Sequence, residues 1–268
     1  MPIGANQDDA RRLAIDHTRM RSRRRRRNQL LRHLALALIT FILVAPFYYV
    51  FLASLKNATE IFSYPPKLLP FPPYFGNYQK LLFDTGFLRW MFNTLFVAGS
   101  VTTLKIFLDS MAGYALAKIE MTGKRVVFMA MLILLMVPIG ALIVPLWSLV
   151  SSMHLTNTYL ALILPPLANP LGAILMRQFI LSLPRDLENA ARLDGLSEFG
   201  IYWRIVLPLI KPGLVVLAVI IFTDQFMSFI WPMIATTSDD LQVLTVGVFF
   251  FILQRQFLAR SLAGALKQ

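Results

Sequence analysis

The chain contains no cysteine, and its three histidines lie far apart. The absence of cysteine excludes disulfides, cysteine-ligated zinc and thiol chemistry. His17, His33 and His154 show no metal-ligand spacing, so we expect no metal site and no cofactor in this chain. Charged residues are also scarce, at 15% of the 268 residues, whereas they make up about 25% of an ordinary soluble protein. The composition therefore argues against a soluble globular domain.

The phosphate-binding pattern G-x-x-x-x-G-K-[ST] is absent as well. The nearest approach is TGKR at residues 122–125, which lacks both the upstream glycine and the hydroxyl residue that contacts magnesium. The acidic residues are isolated, whereas a membrane-embedded transferase would need a cluster of acidic or histidine residues at one interface. We therefore expect that the chain is not an enzyme and does not hydrolyse ATP itself.

The sequence instead contains several long apolar runs. Hydrophobic residues make up 57% of the chain and the mean hydropathy is +0.62, and about 20 consecutive apolar residues suffice to cross a bilayer. The last run, which begins at about Val243, has only about a dozen residues, so this helix either lies partly outside the lipid or lacks residues near position 248. The other five predicted spans are approximately 31–55, 91–117, 126–150, 159–181 and 213–234.

The net charge of +12 is concentrated before the first span, where Arg23–Arg27 form an unbroken run. Basic runs can bind nucleic acid, but this one ends directly at an apolar span, where arginines hold the cytoplasmic side and attract anionic lipid headgroups. We therefore predict membrane lipid and no nucleic acid as its partner. A cleaved signal peptide fits less well, because the apolar run is too long. We divide the chain into a basic cytoplasmic segment, residues 1–30, and a transmembrane domain, residues 31–268.

Ten of the remaining basic residues determine the predicted orientation. They cluster after every second span, and basic loops stay in the cytoplasm. The sequence thus predicts an all-α integral membrane protein with six transmembrane helices and both termini in the cytoplasm. The basic residues concerned are Lys118, Lys124, Arg125, Arg185, Arg192, Arg204, Lys211, Arg255, Arg260 and Lys267.

A polar segment, approximately residues 182–212, interrupts the apolar spans. Pro184 suits the first turn of a helix, and Gly195 suits its end. Ser197 is predicted to cap a second helix, which Pro208 and Pro212 would end. A small-residue face on the first helix can dock into another protein, or the segment can lie as an amphipathic connector at the membrane interface. That face is predicted to carry Leu187, Ala190, Ala191 and Asp194.

This segment resembles the EAA motif of membrane subunits of binding-protein-dependent ABC importers, E-A-A-x3-G-x9-I-x-L-P. Asn189 stands at the position of the motif glutamate, and Glu188 lies one place earlier. In that family the glutamate can pair with a basic residue of the ATPase, so the departure affects this ion pair and not the docking helix. The positions that match the motif are Ala190, Ala191, Gly195, Ile205, Leu207 and Pro208.

The wider sequence, including FLRWMFNTLFVA, MAGYALAKIEMTGKR and the tail FLARSLAGALK, resembles MalG-type permeases of carbohydrate importers. The resemblance implies the type I importer fold, with residues 182–212 as a cytoplasmic coupling loop. It also implies a heterodimer with a MalF-like permease, two ABC ATPase subunits that bind ATP and magnesium, and an extracytoplasmic solute-binding protein. The implied function is import of a sugar or sugar-like solute through the bacterial inner membrane.

Polar groups within the apolar spans are candidates for the solute path. We predict that Thr223, Asp224, Gln225 and Ser228 line it. Lys105 and Asp109 lie four residues apart, so they can simply pair along their own helix. A secondary transporter or channel without an ATPase would use the same polar groups and is the alternative function.

Overall fold

The computed structural model describes the backbone of residues 5–252, apart from residues 62, 65, 66 and 68. It describes the side chains of residues 29–252, apart from those four and residue 58. Within these limits every regular element is helical, as predicted. The chain divides into two compact units, Met1–Leu81 and Leu82–Gln268.

The first unit is dominated by one long helix, α1, Ala5–Ser54. Its residues 29–54 are apolar enough to cross a membrane, which agrees with the first predicted span. Two short helices, α2 (Ala58–Ile61) and α3 (Gly76–Phe83), flank the proline-rich stretch. Asn77 closes the end of α1, because its amide donates to the carbonyls of Ser54 at 2.9 Å and Lys56 at 2.8 Å.

The second unit is built around α4, Phe87–Ala117, the other single helix in the described residues that is long and apolar enough to span a membrane. Helices α7, α8 and α12 pack against it. The helices that follow α4 are α5 (Lys124–Met136), α6 (Ile139–Ser152), α7 (Tyr159–Leu167), α8 (Leu171–Leu181), α9 (Arg185–Leu193), α10 (Glu198–Ile201), a π-helical turn (Tyr202–Val206), α11 (Leu207–Leu209), α12 (Lys211–Phe226), α13 (Ile230–Ala235) and a 3₁₀ turn (Asp239–Leu241).

Three further pairs of consecutive helices reach spanning length only when each pair is taken as one bent span. The two members meet at 103° in α5–α6, at 43° in α7–α8, and at 78° between residues 198–209 and α12. Pro138 and Pro170 stand immediately before α6 and α8, where a proline cannot continue the preceding helix. The predicted spans 126–150 and 159–181 are therefore broken.

The predicted span 213–234 is also interrupted, because α12 ends at Phe226 and α13 begins at Ile230. Pro232 has no amide hydrogen to donate to the carbonyl of Ser228. That carbonyl instead accepts a hydrogen bond from the hydroxyl of Thr245 at 2.6 Å. The missing backbone bond explains why one continuous helix does not form.

The last apolar run is helical over residues 244–252. The following residues lie outside the described part of the chain, so the predicted shortness of the sixth span stays a prediction.

Hydrogen bonds attach the loop at residues 236–242 to the N-terminal end of α4. Asn93 donates to the carbonyls of Asp240 and Gln242, both at 2.9 Å, and Arg89 forms an ion pair with Asp240 at 2.9 Å. Asn157, in the loop after α6, accepts hydrogen bonds from the backbone amides of Thr237 and Ser238. Two loops that were predicted to share one side of the membrane are thus joined.

The break between α7 and α8 is held by a buried ion pair on α4. Lys105 Nζ lies 3.0 Å from Asp109 Oδ2, which confirms the predicted pairing along the helix. The same ammonium donates to the carbonyl of Asn169 at 2.6 Å, in the break itself. A Cβ atom at Gly172 would lie only 1.9 Å from Asp109 Oδ2, so glycine is required for this approach.

Candidate functional site

The polar segment forms a short helix with well-defined ends. Pro184 precedes α9, and Asp186 and Glu188 lie in its first turn, where acidic side chains favour the helix dipole. After the helix the chain turns at Gly195, which has φ +81°. This confirms the glycine stop, because other residue types are strained in the left-handed region. Ser197 then caps α10 by accepting a hydrogen bond from the amide of Gly200, as predicted.

The two sides of α9 differ from the predicted arrangement. Glu188 and Ala191 are buried within the chain, with 3% and 4% of their surface exposed. Ala191 therefore does not belong to an outward docking face, because its side chain already packs in the core of this chain. Leu187 and Ala190 remain exposed, and so does Leu193, at 90%. The predicted residue Asp194 is exposed as well.

The exposed edge thus follows Leu187, Ala190 and Leu193 at three-residue steps. Ala190 and Leu193 lie roughly opposite the buried side, whereas Leu187 lies beside it. Ala191 was predicted on the outward face because its spacing from Leu187 puts the two residues on one side of a helix. The sequence did carry a signal for the buried side, because the carboxylate at 188 and the small residue at 191 lie on one face of a helix.

A buried ion pair anchors α9 to the end of α4. Lys118, the residue directly after α4, places its Nζ atom 2.8 Å from Glu188 Oε1, and both side chains are at least 96% buried. The same ammonium donates to the carbonyl of Leu183 at 2.8 Å. One lysine therefore holds both the entry to α9 and its first turn. Sequence reasoning missed this contact, since 70 positions separate the partners.

A second, more exposed cluster surrounds Glu198. Arg192 Nε lies 2.9 Å from Glu198 Oε1, and the hydroxyl of Tyr114 donates to Glu198 Oε2 at 2.7 Å. Hydrogen bonds from Arg192 and Tyr114 lower the pKa of the Glu198 carboxyl group, so it is charged at neutral pH. Arg192 also donates to the side-chain oxygen of Asn189 at 3.2 Å. Asn189 is exposed and contacts its own helix.

The end of the motif builds the π-helical turn Tyr202–Val206. The amide of Leu207 bonds to the carbonyl of Tyr202, five residues earlier, and Pro208 has no amide hydrogen to continue the α-helical pattern. Ile205 and Leu207 pack against the core, whereas Pro208 is exposed. Tyr202 is buried, and its hydroxyl forms a 2.7 Å hydrogen bond with that of Ser110.

The predicted solute-path residues lie in the last turn of α12 and just beyond it. Thr223 and Asp224 are exposed on α12, and the Gln225 amide donates to Asp224 at 3.1 Å. Consecutive helical residues point about 100° apart, so these three side chains diverge. Ser228 lies beyond the end of α12 and is half-buried. Among the described residues no cluster of three or more histidine and acidic side chains could hold a metal ion.

Comparisons with known proteins show the family to which the chain belongs. The family model for the binding-protein-dependent transport system inner membrane component matches residues 110–259, which include the whole of the polar segment. The arabinooligosaccharides transport system permease protein AraQ of Bacillus subtilis is 33% identical over 219 residues, which cover 79% of this chain and 76% of that protein. The sn-glycerol-3-phosphate transport system permease protein UgpE of Brucella abortus is 29% identical over 228 residues, which cover 82% and 81%.

Among solved structures, a bacterial ABC transporter involved in the import of the acidic polysaccharide alginate contains a chain of the same fold. The TM-score is 0.75 at 23% sequence identity, over 82% of this chain and 78% of that one. The chain described here belongs to the family of binding-protein-dependent transport system inner membrane components. It is a permease subunit of an ABC importer, and this membership disfavours the secondary transporter or channel.

Proposed function

We propose that this permease subunit imports a sugar or sugar-like solute. It would act with a MalF-like permease, two cytoplasmic ABC ATPases that bind ATP and magnesium, and an external solute-binding protein. Relatives named for arabinooligosaccharides and sn-glycerol-3-phosphate support this solute class. The family description itself supports dependence on a binding protein.

The solute class can be tested by calorimetry on the purified cognate binding protein. The probes are an arabinooligosaccharide, sn-glycerol-3-phosphate, an alginate oligosaccharide and, as a non-carbohydrate control, glutamine. We expect saturable binding of one of the first three probes and none of glutamine. Binding of glutamine alone would contradict the proposed class.

The function further depends on α9 as the helix that contacts an ATPase. The observation that carries this part is the division of its surface, since Glu188 and Ala191 fix one side to the permease while Ala190 and Leu193 remain exposed on the other and Leu187 is exposed beside them. A leucine that is 90% exposed on a polar helix leaves apolar surface in contact with water. Contact with a partner would remove that surface from water.

Two glutamate substitutions at neighbouring exposed positions test the docking. Ala190→Glu should place a charge in the contact and separate the ATPase from the membrane subunits, because a buried unpaired charge is costly. Asn189→Glu, the matched control, adds the same side chain but restores the motif glutamate, so the ATPase should stay bound. Co-purification of the ATPase with each variant is the measurement. Full association of Ala190→Glu would make the segment a surface connector.

We also propose six spans with both termini in the cytoplasm. In support, the joined loops at 154–158 and 236–242 contact the start of α4, whereas α9 is anchored to its end, about 46 Å away for 31 residues. This matches the predicted separation of outer and inner loops. In intact cells Tyr64→Cys should react with an impermeant thiol reagent and Met121→Cys should not. The reverse pattern would overturn the orientation.

The solute path itself is proposed to include Asp224, with Thr223, Gln225 and Ser228 nearby. An acidic side chain on an apolar helix, exposed on this subunit alone, is expected to face a second subunit or a polar channel rather than lipid. Asp224→Ala should lower uptake of the solute found by calorimetry, with unchanged assembly. Wild-type uptake would remove Asp224 from the path.

A further inference from the structure

Three polar side chains follow α4 at four-residue steps toward its end: Ser110, Tyr114 and Lys118. Residues four apart lie on one face of a helix. Each of the three contacts a different part of the segment between α8 and α12. We refer to Ser110, Tyr114 and Lys118 as the polar stripe.

The contacts of the polar stripe are spread along the whole coupling segment. Lys118 holds Glu188 and the carbonyl of Leu183, each at 2.8 Å. Tyr114 donates to Glu198 at 2.7 Å, just beyond the glycine turn. Ser110 bonds to Tyr202 at 2.7 Å, in the π-helical turn. Each contact joins residues at least 65 positions apart, so none results from local chain geometry.

The backbone joins the coupling segment to α8 and α12 only through turns and bends, whereas the side chains of the polar stripe join it directly to α4. Toward α12 the chain passes through the turn at Gly195, the π-helical turn and a bend of 78°. Toward α8 it passes through Ser182 and Leu183 before Pro184. Lys118, by contrast, joins the first turn of α9 to the end of an uninterrupted helix of 31 residues.

We propose that the polar stripe, chiefly through Lys118, makes α9 and α4 one rigid unit that carries the displacement of the coupling helix into the membrane. This inference rests on the proposed docking of α9 to an ATPase. In it Lys118 is a positioning residue, because it acts through Glu188 and Leu183. Movement of α9 then displaces α4 directly, and the breaks in the other spans accommodate the motion.

The natural absence of cysteine allows a direct distance measurement. Spin labels are placed at Leu88→Cys, near the start of α4, and at Arg185→Cys, off the exposed edge of α9. Leu88 lies about 45 Å from Lys118 along α4, and Lys118 contacts the first turn of α9, so the length of α4 accounts for most of the distance between the labels. Electron paramagnetic resonance distances are recorded on the complete importer in nanodiscs, both without nucleotide and trapped with ATP and vanadate. We expect one narrow distribution that is the same in both states.

A shift of that distance between the two states in the otherwise unaltered chain would overturn the proposal, and this comparison does not depend on the folding of any further variant. The second comparison uses Lys118→Met with Glu188→Met, which removes the ionic link without leaving an unpaired buried charge. The distribution should broaden and the stimulation of ATP turnover by the binding protein should fall at least about fivefold. Lys118→Arg, which keeps the charge and donors, should retain both.

Co-purification of the ATPase with the labelled chain tests the docking of α9 separately from the transmission of its movement to α4. If the ATPase remains bound to the double variant while the distance broadens, docking and transmission are separate, as proposed. An unchanged narrow distance and unchanged stimulation in the double variant would overturn the role of Lys118 and leave the docking of α9 intact. An unaltered chain that never retains the ATPase would contradict the docking and, with it, this inference.

Discussion

Lys105 and Lys118 both form buried ion pairs with a carboxylate, and the two pairs differ in what they connect. Lys105 and Asp109 are 3.0 Å apart and belong to the same turn of α4. Lys118 and Glu188 are 2.8 Å apart and join α4 to a helix 70 positions further along the chain. The first pair stabilises a span and the break beside it, whereas the second fixes the coupling segment to the membrane domain. Similar chemistry therefore serves local structure in one case and long-range attachment in the other.

Removal of each lysine should give the largest effects and should distinguish the two pairs. Lys105→Met and Lys118→Met each leave a buried carboxylate without its partner, which costs about 3–5 kcal/mol of stability. Thermal unfolding in detergent should detect both losses. Only Lys118→Met should also free α9, so that trypsin cuts at Arg185 and Arg192 much faster than in the unaltered chain. Equal cleavage of the two variants would show that Lys118 does not anchor α9.

The substitution Gly172→Ala should perturb the Lys105–Asp109 pair and leave the Lys118–Glu188 pair unchanged. The added Cβ would lie 1.9 Å from Asp109 Oδ2, so the α4–α8 contact must shift, and overpacking of this kind costs about 1–3 kcal/mol. Gly99→Ala is the matched control, because no atom lies within 4 Å of its added Cβ. We expect a lower unfolding temperature for Gly172→Ala only, with tryptic cleavage of α9 unchanged in both. Faster cleavage in Gly172→Ala would mean that the two pairs are not independent.

The exposed pair between Arg192 and Glu198 should have the smallest effect. Its side chains are 38% and 44% exposed, and exposed ion pairs contribute about 0–1 kcal/mol. Arg192→Ala should therefore change the unfolding temperature little, and less still in high salt, because salt screens exposed charges. A decrease in unfolding temperature as large as that of Lys118→Met would show that Arg192 also anchors α9.

The contrast between the pairs also shows which features the sequence could predict. The pairing of Lys105 with Asp109 followed from helical spacing, and the turn at Gly195 and the cap at Ser197 followed from local residue preferences. These features depend on neighbours within a few positions. The first two predicted spans agree with single apolar helices for the same reason, since each depends on a continuous apolar run.

Features that depend on distant contacts were missed. The sequence assigned Lys118 to a basic loop and placed Glu188 one position before that of the motif glutamate, with no signal that they meet. Ala191 was assigned to the outward face because of its helical spacing from Leu187, but packing with the core decides its side. The interruption at residues 227–229 depends partly on a hydroxyl from Thr245. Tertiary partners of this kind do not appear in periodicity or composition.

The central claim is that the exposed edge of α9 contacts an ATPase, and a photo-crosslinking amino acid at Leu193 tests it most directly. The residue is 90% exposed on this chain, so the replacement does not disturb its core. The same amino acid at Leu36, which is 60% exposed on the first apolar span, serves as the control. In the complete importer, illumination should join position 193 to the ATPase subunit and leave position 36 without such an adduct. Strong crosslinking of the ATPase to position 36, or none to position 193 in an importer that still hydrolyses ATP, would contradict the account.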